Sequence, residues 1–509
     1  MKKTAFLFAA VLALASCGAG KKTAQSVSDR PIVIFHDNDV HCAIDGYPIF
    51  AGARDAVLAA DTAWVLTTSS GDFMQGGTPG TLSSGQYPVD IMTAVGYDAI
   101  GLGNHEFDYH TPRMLEALDG MPVTCVNFSP VGEKMTYAPY IMKQCGKRKV
   151  ALVGVVTPDA MDSEAYSFFD NEGKQLYDLY RDKCYSLVQK AVDNARKAGA
   201  DYVVVISHLG ETDSPITSVG LVQSTSGIDA VVDGHTHSVI ERLEAKNKEG
   251  KSVVITQTGT QFAYVGKLVI GSDGKISSVL IPAAQAPKSA KVQHCVDSIK
   301  QIYNEIAMKP LGRSEVNLSI LGADGKRIIR RGEANIGDFV ADAFRIVGNS
   351  QISLVNSGAV RTNIPVGDLC FKSIIDVMPF GNKCSLLKIS GDKIRRTLSR
   401  SVSHLPEEYG EFLQVSGLKY SVKGNTLTDV QVQDRASGQY SPLRDEEFYT
   451  VAMSDYVLGI YSDILTEPEY IKKSYAVDYD ILYDYIVNNL GGVIGKQYEN
   501  AQGRIMVEP

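Results

Sequence analysis

The chain has 509 residues, of which 44% are hydrophobic and 21% charged, proportions typical of folded globular proteins. This composition excludes a wholly disordered, collagen-like or polytopic membrane protein, and the length predicts two or three domains at roughly 100 to 200 residues each. The formal net charge of −8 disfavours a nucleic-acid-binding protein, because such a surface must neutralise many phosphates.

The N-terminus has the form of a secretory signal. Lys2 and Lys3 precede an apolar run, residues 5–15, that is too short to span a bilayer. The Leu-Ala-Ser-Cys sequence that ends at Cys17 resembles the bacterial lipobox. That resemblance implies a signal peptide over residues 1–17, acylation of Cys17 and anchoring to a bacterial membrane in the cell envelope, at the periplasm or outer membrane. A plain signal with a chance cysteine is the alternative. Residues 18–30, small and polar, are predicted to form a tether.

The other cysteines predict neither disulfides nor a thiolate metal site. They are seven in number, scattered, and include no C-x-x-C pair. Most are expected to be small buried hydrophobic residues.

Residues 31–285 are predicted to form one layered α/β domain. Short β-branched runs alternate there with helix-length amphipathic stretches, a pattern typical of a largely buried sheet. The predicted strands cover residues 32–35, 63–66, 123–126, 150–156, 202–206 and 228–232.

Residues 286–312 are predicted to be a linker, with one amphipathic helix over residues 289–307, because apolar residues recur there at helical spacing. From residue 313 to 509 a second α/β domain is expected. Its predicted elements include a helix over residues 336–347 and strands over residues 352–355 and 384–389.

Polar clusters follow five strand-like runs in the first domain. Ligands bind beyond the carboxyl ends of strands in open α/β sheets, so we expect the five clusters to meet at one site. Any one cluster alone is more often a polar turn than a ligand pair. The clusters contain Asp39 and His41, then Asp72, then Asn104, His105 and Asp108, then His208, and finally His235 and His237.

The residue types in these clusters indicate a metal site. Carboxylate, amide and imidazole groups without a thiolate suit zinc, manganese or cobalt. Seven ligands are too many for one tetrahedral ion. Two ions about 3.5 to 4 Å apart would use all seven and would polarise a water for attack on phosphorus. The predicted ligands are Asp39, His41, Asp72, Asn104, His208, His235 and His237.

At this point the sequence resembles a known family. The motifs Asp39-x-His41, Gly71-Asp72, Gly103-Asn104-His105-Glu106-x-Asp108, His208 and Gly234-His235-x-His237 look like the calcineurin-like metallophosphoesterase signature. The sequences at residues 356–361, 379–382 and 412–417 are similar to the substrate-binding domain of 5′-nucleotidases. The resemblance therefore implies a four-layer α/β sandwich, a linker helix and a second α/β or α+β substrate domain.

The resemblance also implies roles for individual residues. One ion would be held by Asp39, His41, Asp72 and His237, and the other by Asp72, Asn104, His208 and His235, with Asp72 bridging. His105 and Asp108 match the family's catalytic dyad, in which the imidazole stabilises the transferring phosphoryl group. Substrate would contact Asn104, Arg361, Asn382, Phe412 and Tyr456.

The substrate-binding half departs from the family at one point. Phe412 and Tyr456 match the two walls of an aromatic clamp, and stacking of this kind tolerates any base. The family's Gly-Gly-Asp-Gly stretch, whose Asp binds the ribose hydroxyls, is missing here. Asp463 lies one position out of register for that role.

The sequence thus predicts an anchored enzyme that removes the 5′-phosphate from nucleotides with two divalent ions and broad base specificity. Its expected partner is a small nucleotide, with membrane contact only through the anchor, and it is a monomer or an oligomer of unknown size. Alternatives within the class are a 2′,3′-cyclic nucleotide phosphodiesterase, a UDP-sugar hydrolase and a thiosulfohydrolase-like enzyme. A lipoprotein that captures nucleotides without turnover is the alternative outside it, and the intact His105–Asp108 pair argues against it.

Overall fold

The computed structural model describes residues 30–170, 173–212 and 214–508. The predicted signal peptide, Cys17 and most of the tether lie outside these residues. The strands of the first domain are β1 Ile32–Asp37, β2 Trp64–Ser69, β3 Ala99–Ile100, β4 Ser129–Pro130, β5 Ile141–Cys145, β6 Arg148–Val156, β7 Tyr177–Asp178, β8 Tyr202–His208, β9 Ala230–Val232, β10 Val239–Lys246, β11 Ser252–Thr258, β12 Tyr264–Ile270 and β13 Ile276–Pro282. Its helices are α1 Tyr47–Ala60, α2 Gly77–Ser83, α3 Gln86–Val95, α4 Thr111–Ala117, α5 Ala160–Ser163, α6 Ala165–Phe168, α7 Cys184–Lys197 and α8 Ser218–Ser224.

Two mixed sheets form the centre of the first domain. One has the order β13-β12-β1-β2-β3, with β1, β2 and β3 parallel. The other has the order β10-β11-β9-β8-β6-β5, with β11, β9, β8 and β6 parallel. Ile34 and Leu66 of the first sheet pack with Val204 and Val232 of the second in one buried cluster, so the sheets lie face to face.

Helices cover the outer faces of both sheets. Successive side chains of β1 point to opposite faces, so Ile34 packs between the sheets while Phe35 packs with α1 and α3. On the far side, α7 and α8 cover the second sheet through residues such as Val188 and Leu221. The order is helix, sheet, sheet, helix, which confirms the predicted four-layer α/β sandwich.

One predicted strand does not form. Residues 123–126 make only isolated bridges, from Val123 to Ile100 and from Thr124 to Ala138. Gly154 of β6 explains the close approach to this segment, because a Cβ there would meet the Thr124 carbonyl oxygen at 1.8 Å. The segment bonds to β3 at Ile100 and to β6 at Gly154 and forms no regular strand of either sheet, which a β-branched run cannot reveal.

The linker helix α9 spans Ala290–Ala307, within two residues of the predicted range. Its apolar face is not free. Val292, Val296 and Ile299 belong to the same buried cluster as α1 and α3, so α9 is part of the first domain's outer helical layer.

The second domain begins inside the predicted linker, because β14 already pairs with strands of that domain. Its central sheet has the order β18-β15-β22-β17-β23 and packs against α10. The elements are β14 Pro310–Ser314, α10 Asn335–Val347, β15 Ile352–Asn356, β16 Gly367–Cys370, α11 Phe371–Val377, β17 Lys383–Ser390, α12 Gly391–Ser401, β18 Leu413–Ser416, β19 Leu418–Lys423, β20 Thr426–Gln433, β21 Tyr440–Pro442, β22 Phe448–Ser454, α13 Asp455–Ile460, β23 Glu469–Val477, α14 Asp478–Asp484, β24 Val493–Ile494 and β25 Ile505–Glu508.

The two domains touch through short helices. The Thr78 hydroxyl on α2 donates to Asp376 on α11 at 3.0 Å, and Thr81 donates to the carbonyl oxygen of Pro379. These bonds place the loop after α11 beside the first domain. Across the described part of the chain, no helix has both the length and the apolar character required to cross a membrane.

Candidate metal centre and active site

The predicted ligands lie in loops that follow the carboxyl ends of five strands. Asp39 and His41 follow β1, Asp72 follows β2, and Asn104 follows β3 in the first sheet. In the second sheet, His208 is the last residue of β8, and His235 and His237 follow β9. Parallel strands end at a common edge, so the two facing sheets bring all seven side chains to one end of the sandwich.

Two buried carboxylates lie at the centre of this site. The Nε2 atom of His208 is 3.2 Å from Asp72 Oδ2 and 3.8 Å from Asp39 Oδ1. His41 Nε2 is 3.8 Å from Asp72 Oδ2, and His237 Nε2 is 3.4 Å from Asp39 Oδ1. One ligand atom each from Asp39, His41, Asp72 and His237 lies within 4.8 Å of the others. Asp72 therefore contacts histidines on both sides, as a bridging ligand would.

The remaining two predicted ligands complete the cluster. His235 Nδ1 lies 3.1 Å from the Asn104 side-chain oxygen, and the His235 backbone N–H donates to Asp39 at 3.0 Å. The His235 and His208 rings have centroids 5.3 Å apart. The structure thus brings together all seven residues that the sequence predicted.

The donor set fits divalent cations. His41 Nε2 lies 3.0 Å from His237 Nε2, and two imidazole nitrogens at this distance need a proton or a cation between them. His208 Nε2 is buried and makes no hydrogen bond to any described residue. Burial lowers the pKa of His41 and of His235 to about 4, so both rings are neutral and able to bind a metal at pH 7. Burial acts to lower the pKa of His208. The charges of Asp72 and Asp39 outweigh this effect and raise the pKa to about 10, because two carboxylates stabilise a positive charge beside them.

The backbone at the cluster is strained. Five of the seven predicted ligands have left-handed φ angles, and a non-glycine residue in this region costs about 1 to 3 kcal/mol. Such conformations persist only where surrounding contacts fix them. The residues and angles are Asp39 (51°), His41 (45°), Asp72 (58°), His235 (87°) and His237 (57°).

The predicted dyad lies beside the cluster. His105 Nδ1 is 2.9 Å from Asp108 Oδ2, and the His105 backbone N–H donates to Asp72 at 2.9 Å. Burial acts to lower the pKa of His105, but Asp108 and Asp72 hold it well above its usual range. The His105 and His41 ring centroids are 5.3 Å apart. An imidazolium is therefore held next to the metal ligands.

Glu106 organises the loops that carry Asp72 and Asn104, a role that the sequence reasoning missed. Its buried carboxylate accepts four backbone N–H bonds of 2.6 to 3.1 Å, from Asp72, Phe73, Met74 and Gly103. Its place next to His105 in the strand-end motif was the available signal. The carboxylate fixes the backbone of one ligand loop against the other.

Glu164 was also missed, and it lies in a turn between α5 and α6 with no motif to mark it. The Asn104 amide donates to Glu164 Oε1 at 3.3 Å, and burial raises the pKa of Glu164 to about 8. Its carboxylate lies within 4.8 Å of ligand atoms of both His105 and Asp108. Glu164 therefore adds a third acidic group beside the dyad.

The second domain brings Phe380 near the dyad and packs Arg361 against the same ring. The Arg361 guanidinium lies 5.6 Å from the centre of the Phe380 ring, which in turn is 6.3 Å from the His105 ring. Phe380 thus lies near both Arg361 and His105. The side chain of Arg361 donates to the carbonyl oxygen of Gly358 at 3.3 Å, and in the described chain it pairs with no carboxylate within 4.0 Å.

The other predicted substrate residues differ in their surroundings. Tyr456 is partly buried and lines a cleft of 1840 Å³ between the domains, together with Tyr166 of the first domain. The Asn382 amide donates to Asp478 at 3.2 Å, so it is engaged within its own domain. Asp463, the out-of-register residue, accepts a bond from Arg400 at 2.7 Å.

Phe412, predicted as one wall of the clamp, does not line the cleft. Its side chain is fully buried in the second domain's core with Leu413 and Tyr461, and it presents no ring face to the cleft. The Phe412 carbonyl oxygen accepts a bond from the Ser357 N–H at 2.8 Å, which fixes the chain just before β18. Burying an aromatic side chain removes roughly 150 to 250 Å² of surface from water. The free energy gained by this burial favours the inward position of the Phe412 ring.

Fold and site together define a metal-dependent hydrolase. The calcineurin-like phosphoesterase profile matches residues 32–239, and the profile of the 5′-nucleotidase C-terminal domain matches residues 310–462. The chain therefore belongs to the two-domain 5′-nucleotidase family of metallophosphoesterases. Family membership supports hydrolysis of phosphomonoesters with divalent metals.

Similar proteins cover most of the chain at low identity. The 5′-nucleotidase of Bos taurus is 25% identical over 93% of this chain and 90% of its own length, and that of Vibrio parahaemolyticus is 24% identical over 84% and 82%. The trifunctional nucleotide phosphoesterase YfkN of Bacillus subtilis is 24% identical over 93% of this chain, which spans 35% of that larger protein. The crystal structure of a 5′-nucleotidase precursor from Thermus thermophilus superposes with a TM-score of 0.73 at 25% identity, covering 94% of this chain and 99% of that one.

The four hydrogen bonds to Glu106 should contribute to the stability of the fold. Replacing Glu106 with Gln puts an NH₂ group opposite at least one buried backbone N–H, and each such group left without an acceptor costs about 1 to 3 kcal/mol. We expect Glu106→Gln to lower the melting temperature measured by calorimetry. Glu133→Gln, at an exposed position, is the control and should melt like wild type. Equal melting temperatures for both variants would contradict the role given to Glu106.

Proposed function

We propose that the protein hydrolyses nucleoside 5′-monophosphates to nucleosides and phosphate, with two divalent ions and little preference for the base. The observation that carries this proposal is the buried cluster around Asp72, which lies beside the His105–Asp108 pair. Phe380 of the second domain lies near His105 and contacts Arg361. Phosphoryl transfer requires positive charge and positioning more than covalent help, and this arrangement provides both.

The first domain would hold the ions through the seven ligands. Zinc, manganese and cobalt all suit these oxygen and nitrogen donors. When bound, two such ions neutralise charge on the phosphoryl oxygens and lower the pKa of the attacking water. Asp72 lies between His41 and His208 and is the residue positioned to serve both ions.

His105 would act on the transferring phosphoryl group and the leaving oxygen. Its Nδ1 atom is occupied by Asp108, which leaves Nε2 for the substrate. The neighbouring carboxylates hold the pKa of His105 well above its usual range despite its burial, so the ring carries the proton that the departing 5′-oxygen needs.

The second domain would bind the rest of the nucleotide. The planar guanidinium of Arg361 suits a phosphate and is not paired with a carboxylate in the described chain. Tyr456 lines the cleft between the domains and offers a ring for stacking, which tolerates any base.

Phosphate release from a substrate panel tests this proposal. We expect turnover of AMP, GMP, CMP and UMP with added Mn²⁺ or Zn²⁺, and loss of turnover in EDTA, because the chain's buried carboxylates need cations to act. The panel includes a 2′,3′-cyclic nucleotide and a UDP-sugar. Binding of AMP without phosphate release at any metal concentration would contradict hydrolysis, and faster turnover of the cyclic nucleotide or the UDP-sugar would contradict the proposed substrate.

His105→Ala separates catalysis from metal binding. Loss of the general acid and its charge should lower kcat for AMP about 10²-fold or more. Its side chain is not one of the seven ligands, so calorimetric Mn²⁺ binding should stay close to wild type. His294→Ala, at an exposed position of α9, is the control and should turn over AMP like wild type. Turnover unchanged in His105→Ala would refute the role of this residue.

We also propose that the protein is exported and anchored to a bacterial membrane through Cys17. Support comes from the signal-like sequence before this residue and the small polar stretch after it. Several acyl chains at about 0.8 kcal/mol per buried CH₂ would hold the protein at the membrane permanently.

Membrane fractionation tests the anchor. The wild-type protein should incorporate labelled palmitate and sediment with membranes, whereas Cys17→Ser should do neither. Cys42→Ser, which changes a cysteine of the folded domain, is the control. Wild-type protein that takes up no label would contradict the anchor.

A further inference from the structure

The loop that carries His235 and His237 alternates two histidines with two hydroxyl residues, Thr236 and Ser238. Both histidines have left-handed φ angles, 87° and 57°. A loop with two such residues needs contacts that over-determine its conformation. The rings of His235 and His237 lie in the metal cluster. The contacts that fix the loop therefore come from the side chains of Thr236 and Ser238.

Glu211 makes those contacts. It follows β8 by three residues, and its carboxylate accepts a hydrogen bond from the Thr236 hydroxyl on one oxygen and from the Ser238 hydroxyl on the other. Gly210 permits this approach, because a Cβ at that position would lie 2.5 Å from the Thr236 methyl group. One carboxylate thus holds both hydroxyls of the histidine loop.

Gln257 at the end of β11 supports the same loop from a buried position. Its side-chain oxygen accepts the Ser238 backbone N–H at 2.7 Å, and its amide donates to Thr236 at 3.1 Å and to Glu211 at 3.3 Å. The β8 loop, the β9 loop and β11 are therefore joined by one hydrogen-bond network. Glu211 is the charged member of this network.

We propose that Glu211 is a positioning residue that holds His235 and His237 in place for the two metal ions. The inference rests on the two-ion site of the proposed function, in which these histidines serve different ions. Releasing Thr236 and Ser238 would free both rings at once, so affinity for both ions should fall together. A carboxylate suits this position because it accepts two hydroxyl bonds and has no donor of its own.

Calorimetric titration of the metal-free protein with Mn²⁺ tests the proposal without any substrate. We expect Glu211→Ala to weaken both binding events about 10- to 100-fold, the usual cost of losing a partner behind a metal ligand. Glu211→Gln, which keeps the shape and one acceptor oxygen, should recover part of the affinity. Glu244→Ala, on the exposed strand β10, is the matched control and should bind like wild type.

Melting temperatures of the metal-free proteins distinguish positioning from general stabilisation. We expect the difference in melting temperature between Glu211→Ala and Glu244→Ala to widen when Mn²⁺ is present. Thr236→Val and Ser238→Ala each remove one hydroxyl and should give intermediate losses of Mn²⁺ affinity, which keeps the test open if Glu211→Ala does not fold.

The outcomes are distinguishable. Wild-type protein that binds fewer than two Mn²⁺ ions would overturn the two-ion site itself, and with it this inference. Two ions bound by wild type and equally well by Glu211→Ala would overturn the role of Glu211 alone. A loss confined to one of the two ions, or a matching fall in metal-free melting temperature without loss of affinity, would also overturn it.

Discussion

The burial of two carboxylates, Asp39 and Asp72, among four imidazoles is the constraint on which the rest of the structure depends. A charged group removed from water is costly unless opposite charge compensates it. Both acids are almost fully buried, and their nearest polar neighbours include nitrogen atoms that are neutral at pH 7. Divalent cations held by these residues would resolve this conflict. Loop conformation and strand order together bring these groups to one place.

In the first domain, hydrogen bonds from residues that are not themselves ligands hold the ligand loops in place. Left-handed φ angles at five predicted ligands store conformational strain that isolated loops would release. Glu106 ties the backbone of the Asp72 loop to Gly103, and Glu211 ties the hydroxyls of the histidine loop. Each carboxylate accepts hydrogen bonds from several groups of a loop. One side chain can therefore hold a loop in a backbone conformation that non-glycine residues disfavour. The sandwich provides the rigid platform beneath them.

The two domains have different parts of the site. The first carries the buried carboxylates and the histidines around them, and the second carries residues proposed to contact the substrate. The first domain holds every predicted ligand, and α9 adds its apolar face to that domain's outer layer. The second domain contributes Arg361 behind Phe380, held at the first domain by contacts between α2 and α11. A substrate in the cleft would therefore contact both bodies. Where α2 meets α11, hydrogen bonds from Thr78 and Thr81 join the two domains.

The sequence alone determined the layered α/β class, the linker helix and the seven residues of the metal cluster. It could do so because these depend on local patterns: apolar runs mark strands, and parallel strands end at a common edge, so polar residues after each strand converge. The pairing of His105 with Asp108 came instead from the resemblance to the metallophosphoesterase family. Only the tertiary structure decided which side chains support the cluster and which face the cleft. Glu164 and Glu211 lie in turns without a motif, Phe412 packs inward where a clamp was expected, and residues 123–126 form no regular strand. Each of these outcomes depends on a partner distant in the chain, and contacts of that kind leave no periodic signal in the local sequence.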